Sequence, residues 1–282
     1  MTHWQDYCDD QVLALKESLF SVPSFRRGRL YAKADRPLLF FVHGLAASPP
    51  ELDPLPEQLA DHFNWQLLKV RLTGHGLNGK ALAKASCHDW LNDIDQALKA
   101  AQHLSQQIWL LASSTAVPLC LTSLARRPVA IKGLVALSAN MGTRNPFWPL
   151  LTWPLAKHWL PWVYGKEEGS VQQSDSAWTS PYPVWVLHHM AKAVRLGWRY
   201  GPGFDADCLW IANAQDPRVN SQRAAQLWLR LTSKRKEWCW LAPPSDGHGH
   251  ILAGEKTNPE LHAQVLARII AFMQLEQDRD MA

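Results

Sequence analysis

Short apolar runs recur along the chain, separated by stretches whose apolar residues fall at helical spacing. Leu38 to Val42 is one such run and ends at His43-Gly44; Leu67 to Leu72 is another, closed by Gly74-His75-Gly76. Ile108 to Leu111, Ile131 to Leu137, Cys208 to Ala212 and Glu237 to Leu241 complete the set. Runs of four to eight residues with little alternation predict strands buried on both faces, as in a parallel sheet covered by helices. Between them, Trp90, Leu91, Ile94, Ala97, Leu98, Ala101 and Leu104 form a stripe of period 3.6, with Asp89 as its expected N-cap. Asn258-Pro259-Glu260 opens the last helix with a cap residue, proline at the first helical position and an acid at the positive end of the dipole. The alternation predicts an α/β fold with a mostly parallel central sheet.

From Asn145 to about Phe204 this rhythm stops. Seven of the 15 tryptophans lie there, among prolines at 146, 149, 154, 161, 181 and 183. No strand–helix alternation is visible. The segment is expected to be an insertion of short helices broken by prolines, a cap over 144–204 set into a core made of 1–143 and 205–282.

Composition narrows the class. Of 282 residues, 47% are hydrophobic and 19% charged, enough for a large core and too apolar for wholesale disorder. The net charge of +4 is small and scattered, which argues against nucleic acid as a partner. Cys8, Cys87, Cys120, Cys208 and Cys239 are widely spaced and odd in number, a pattern of reduced thiols rather than of a disulfide framework or a zinc site. His188-His189 has no second pair at metal-ligand spacing, and the chain lacks phosphate-binding and dinucleotide-binding glycine loops, so no metal or cofactor is implied. Neither a signal-like N-terminus nor a membrane-length apolar stretch is visible, and a cytoplasmic location is expected.

The chemistry centres on Ala112-Ser113-Ser114-Thr115-Ala116, where a buried strand runs without a gap into a helix that carries Pro118 in its first turn. A serine on so sharp a turn stands above the sheet edge, facing backbone N–H groups and the helix N-terminus. Here the sequence resembles the α/β-hydrolase family, and within it the carboxylesterase and monoacylglycerol-lipase branch, from about Leu38 to the final helix. His43-Gly44-Leu45 resembles the oxyanion loop, Arg71-Leu72-Thr73-Gly74-His75-Gly76 the loop after the next strand, and Asp89-Trp90 the tryptophan before a long helix. The departure is the elbow itself, where alanine replaces both glycines of the family's Gly-x-Ser-x-Gly.

The resemblance implies a Ser–acid–His triad. It points to Ser114 as nucleophile, with Ser113 displaced by one residue, and to Asp216 in Asn213-Ala214-Gln215-Asp216-Pro217 as the acid. Gly249-His250-Ile251 fits the family's histidine pattern and Gly247-His248-Gly249 fits it in part, leaving His250 as expected base and His248 as the alternative. Backbone N–H groups of Leu45 and Thr115 would form the oxyanion hole. His43 and His75 are expected to support loops. The implied activity is hydrolysis of a small-molecule ester or acyl lipid, of medium or long chain or monoacylglycerol type. A non-catalytic binding protein with a degraded elbow, a thioesterase and a C–C hydrolase stay open beside it. In the insertion, Trp148, Trp153, Trp159 and Trp162 are the candidate substrate-binding residues; packing on the sheet rim and peripheral contact with a membrane are the other readings of the same apolar surface.

Overall fold

The apolar runs become strands because each must bury side chains on both faces. In the computed structural model, which describes residues 36–153, 155–165, 167–168, 177–179, 181–242 and 249–280, six of them form one wholly parallel sheet. In chain order its members are β1 (Leu38–Val42), β2 (Gln66–Val70), β3 (Ile108–Ser113), β4 (Gly133–Leu137), β7 (Asp207–Asn213) and β8 (Lys236–Leu241), arranged 2-1-3-4-7-8. Two-residue strands β5 (Glu167–Glu168) and β6 (Tyr182–Pro183) pair separately.

The helices are α1 (Leu55–Phe63), α2 (Gly79–Leu82), α3 (Cys87–Leu104), α4 (Ala116–Arg126), α5 (Ala156–Tyr164), α6 (Val186–Tyr200), α7 (Ser221–Arg230) and α8 (Pro259–Asp280). Along β1, Leu38, Phe40 and Val42 pack with α3 and α4, whereas Leu39 and Phe41 pack with α1 and α8. This is the period-2 division of a strand between two apolar layers. Phe272 of α8 is fully buried edge-on to Trp109 of β3, and burying such a ring stabilises the fold by about 1.5–3 kcal/mol. Only β8, at the sheet edge, is mostly half-buried. No helix among the described residues is long and apolar enough to cross a membrane.

Local differences from the sequence expectation have physical reasons. Helix α3 begins two residues before Asp89, with Ser86 as the N-cap. Ser86 and Asp89 form a reciprocal capping box: the serine hydroxyl accepts the Asp89 N–H, and the Asp89 carboxylate accepts the Ser86 N–H. Asp89 is therefore the third helical residue rather than the cap. In the insertion, α6 is a continuous helix of 15 residues with no internal proline, longer than the proline-rich surroundings predict. Pro161 does fall inside α5. Cys87, Cys120, Cys208 and Cys239 are free thiols, while Cys8, His248 and the first 35 residues of the expected core lie outside the described residues.

Because every strand of the main sheet runs the same way, the loops after β1, β2, β3, β4, β7 and β8 share one edge. The strand order reverses between β1 and β3, the position at which open α/β sheets leave a crevice for ligand. Replacing Ser86 with alanine removes half of the capping box, and the expected loss is about 1 kcal/mol of unfolding free energy in urea titrations. A midpoint unchanged from the wild type would mean that α3 does not depend on its cap.

Candidate active site

The site is built where β3 turns into α4. Ser114 sits there at φ +51°, a left-handed conformation that an L-residue adopts only when its surroundings impose it. The restraint comes from the neighbouring strand: Ser114 N–H donates to Leu137 O at 2.8 Å and Ser114 O accepts from Asn140 N–H at 3.1 Å. Asn140 also donates through Nδ2 to the Thr115 hydroxyl at 3.0 Å. Ala112 and Ala116, the two departures from the glycine pattern, are fully buried.

His250 lies in the loop before α8, and its ring spans two groups. Ser114 Oγ is 3.1 Å from Nε2, and Asp216 Oδ2 is 2.8 Å from Nδ1. With a carboxylate at Nδ1, that nitrogen carries the proton and donates, leaving Nε2 to accept from the serine hydroxyl. Asp216 is fully buried after β7, and its other oxygen accepts the N–H groups of Arg218 and Val219 at 2.8 and 2.9 Å. Asn213, at the end of β7, donates through Nδ2 to Gly249 O at 3.2 Å, joining the acid-bearing loop to the histidine-bearing loop. Ser138 donates to His250 O from the end of β4. The structure thus brings Ser114, Asp216 and His250 into one hydrogen-bonded chain, with Ser113 buried one residue upstream of Ser114.

The second wall is the His43-Gly44-Leu45 loop after β1. His43 donates from Nδ1 to Gly44 O at 2.9 Å and accepts the Leu72 N–H at Nε2 at 3.2 Å. Burial drives its pKa well below the usual value, so a neutral ring holds the loop. His75 is also fully buried, 5.0 Å from the His43 ring and 5.3 Å from Trp90, with its pKa lowered to about 4 mainly by desolvation. Trp90 and Asp93 complete this support: Trp90 Nε1–H donates to Thr73 O, and the Asp93 carboxylate accepts from both the backbone and hydroxyl of Thr73. Among the described residues, the N–H groups of Leu45 and Thr115 donate to no protein acceptor.

The four insertion tryptophans are not gathered together. Trp148 is buried and Trp159 half-buried in a cluster that Leu45 joins, whereas Trp153 and Trp162 stand 63% and 89% exposed. Residues on the far side of the insertion also reach the site's loops: Thr179 N–H donates to Ala46 O, Gly76 N–H to the Thr179 hydroxyl, and Ser48 Oγ to Ala177 O.

One buried acid beside the site has no counterpart among the residues picked out from sequence. Glu51, in the 3-10 turn Pro49–Leu52, accepts the Gly44 N–H at 2.9 Å. Its only signal in the sequence is an acid within a Pro-Pro-Glu turn, a composition that ordinarily marks solvent-facing chain.

No protein-family model and no curated protein matches the chain by sequence. Solved structures do match by shape. One from the metagenome-derived lipolytic enzymes LipS and LipT superposes with a TM-score of 0.70 at 19% identity, covering 86% of this chain and 96% of that one. The monoacylglycerol lipase of Paleococcus ferrophilus gives 0.60 at 14% identity over 83% and 94% of the two chains. A soluble variant of the monoglyceride lipase of Saccharomyces cerevisiae, solved with a substrate analog, gives 0.61 at 11% identity over 88% and 87%. Joined to the parallel sheet in 2-1-3-4-7-8 order, with the site on its carboxyl edge, this likeness identifies the chain as a member of the α/β-hydrolase fold.

Proposed function

We propose that the protein is a serine hydrolase of carboxylic esters, of medium or long acyl chain or monoacylglycerol type. The observation that carries this reading is the unbroken chain from Ser114 Oγ through His250 to a fully buried Asp216, ending on a serine held at positive φ. Ser114 Oγ attacks the ester carbonyl as His250 Nε2 takes its proton, and Asp216 stabilises the imidazolium that forms. The Leu45 and Thr115 N–H groups receive the developing oxyanion. Each such donor is worth about 10²–10³ in rate when removed. His250 then protonates the leaving alcohol and activates water to release the acid, so the cycle needs no cofactor. The structural neighbours, lipolytic enzymes and a monoacylglycerol lipase among them, support the same substrate class.

The non-catalytic alternative rests on the two elbow alanines, and both fit the turn without displacing Ser114 from His250. Thioesters and C–C bonds would use the same three residues, so substrate comparison decides among the enzyme readings. In the proposed cap, spanning 144–204, Trp148 and Trp159 share an apolar cluster with Leu45 of the loop after β1. Phe147, Trp153, Leu155, Trp162 and Val163 are exposed and favour the reading in which the cap rests on a lipid surface.

Three outcomes are expected. First, wild-type protein hydrolyses p-nitrophenyl esters and is labelled by a fluorophosphonate, whereas Ser114→Ala loses about 10⁴-fold or more in rate and is not labelled. A folded wild type that reacts with neither would return the non-catalytic reading. Second, His250→Ala loses activity comparably and Asp216→Asn about 10³–10⁴-fold, while His248→Ala stays within about threefold; loss in His248→Ala with His250→Ala active would exchange the two histidines. Third, Trp153→Ser with Trp162→Ser weakens binding to phosphatidylcholine vesicles by about tenfold and leaves the rate on a short soluble ester unchanged. Equal vesicle binding by that variant and the wild type would remove the membrane reading.

A further inference from the structure

Glu51 is a carboxyl group in a place that disfavours charge. It is 1% exposed, and no lysine or arginine pairs with it among the described residues. One of its oxygens accepts the Gly44 N–H at 2.9 Å. Gly44 precedes Leu45 in the oxyanion loop, and Ser113 precedes the nucleophile. The fit leaves no spare room: a Cβ at Gly44 would lie 3.0 Å from Glu51 Oε1 and 3.2 Å from Ser114 Cβ. The turn that carries Glu51 is itself fastened from behind, where the Thr257 hydroxyl donates to Glu51 O.

We propose that Glu51 is a positioning residue for acyl transfer, its carboxylate holding the oxyanion loop at Gly44 in place against the nucleophile turn at Ser114. The separation of the Leu45 and Thr115 N–H groups, on either side of Ser114, is then set by one side chain. This inference rests on the serine-hydrolase reading. Hydrogen bonds from N–H and O–H groups are stronger to an ionised carboxylate than to a neutral carboxyl, so the tie is tightest when Glu51 is charged.

Burial opposes that charge and raises the pKa to about 7; the Gly44 hydrogen bond, His250 and Ser113 pull in the other direction. The surrounding titratable groups are His250 in the loop before α8, His43 beside Gly44, Asp53 on the same turn, and Glu255 and Lys256 across the adjoining cavity. Of these, His250 is the one whose charge acts on Glu51. The sign follows from linkage. A folded-state pKa of about 7 lies above the ordinary 4.5, so this group's contribution to stability is complete below pH 4.5 and is lost as pH rises through 7. Activity and stability therefore respond oppositely: raising the pH charges the tie and weakens the fold.

The experiment compares wild type, Glu51→Gln and Glu51→Leu on a p-nitrophenyl ester from pH 5.5 to 9, with thermal unfolding of each protein. Glu51→Leu is expected to lower kcat by about 10–100-fold at pH 8, with KM changed by less than roughly twofold. Glu51→Gln keeps the shape and an acceptor for Gly44; it should lose less rate and lack the inflection near pH 7 in the wild-type profile. Its melting temperature should rise relative to the wild type between pH 5 and 8. Wild-type kcat and an unchanged pH profile in both Glu51 variants would overturn the proposal, as would a loss of melting temperature alone.

A wild type inactive on every ester would instead reject the hydrolase reading. The tie is then read directly from the Gly44 amide resonance, expected to titrate near pH 7 in wild type and to stay fixed in Glu51→Gln. A Gly44 resonance that ignores pH in the wild type would reject the tie itself.

Discussion

A serine cannot be presented above a parallel sheet by ordinary backbone geometry, since neither strand nor helix torsions turn the chain sharply enough. The turn at Ser114 does so by placing that residue at φ +51°, and the rest of the site depends on what holds it there. Two hydrogen bonds from the β4 side, to Leu137 O and from Asn140 N–H, fix both ends of the Ser114 peptide environment. Their geometry follows from register: Ser113 is paired with Leu137 across the β3–β4 ladder, so the chain beyond β4 arrives beside the turn at the correct height. The left-handed conformation costs on the order of 1–3 kcal/mol, which a single loop could not sustain. Anchored between a six-residue buried strand and an eleven-residue helix, it persists.

The same register accounts for the facing wall. Val42 of β1 pairs with Ala112 of β3, and the loop leaving β1 therefore passes alongside the turn after β3. At that crossing a Cβ at Gly44 would come within 3.0 Å of Glu51 Oε1 and 3.2 Å of Ser114 Cβ, whereas Ala112 and Ala116 retain theirs. Steric demand for glycine has thus fallen on the loop rather than on the elbow. The Gly-x-Ser-x-Gly pattern is one solution to crowding between strand and helix; two buried methyl groups with a neighbouring glycine loop are another.

What could be seen in the sequence follows a physical division. Strands β1, β3, β4 and β7 were legible because burial on both faces forces continuous apolar runs, and α8 because Asn258 and Pro259 mark its start chemically. Ser114, Asp216 and His250 were pointed to by motifs that resemble the family's, although nothing in a linear pattern measures the 2.8 and 3.1 Å contacts that join them. Helix α3 was displaced at its start because serine and aspartate are both good caps, and a capping box uses both. Helix α6 was hidden because prolines at 181 and 183 precede it closely, and His188, His189, Lys192 and Arg195 interrupt the stripe formed by Val186, Met190, Ala193, Val194 and Gly197. Glu51 was illegible for a deeper reason. A carboxylate's environment is a tertiary property, and the groups that define this one come from β1's loop and the end of β3.

The insertion adds a constraint that neither its composition nor its helices convey. Residues 177 and 179 are fastened to Ser48 and Ala46 in the oxyanion loop region and to Gly76 in the loop after β2. Gly79 lies so close to Pro181 O that any Cβ there would collide with it. Near its other end, Trp198 Nε1–H donates to Met141 O and α6 packs along α4, the helix that starts at the nucleophile turn. The insertion is therefore tied to both walls of the site, to the loop after β1 on one side and to α4 on the other. Displacement of Trp148 or Trp159 would act on Leu45 through the cluster they share, so the insertion and the loop after β1 respond together.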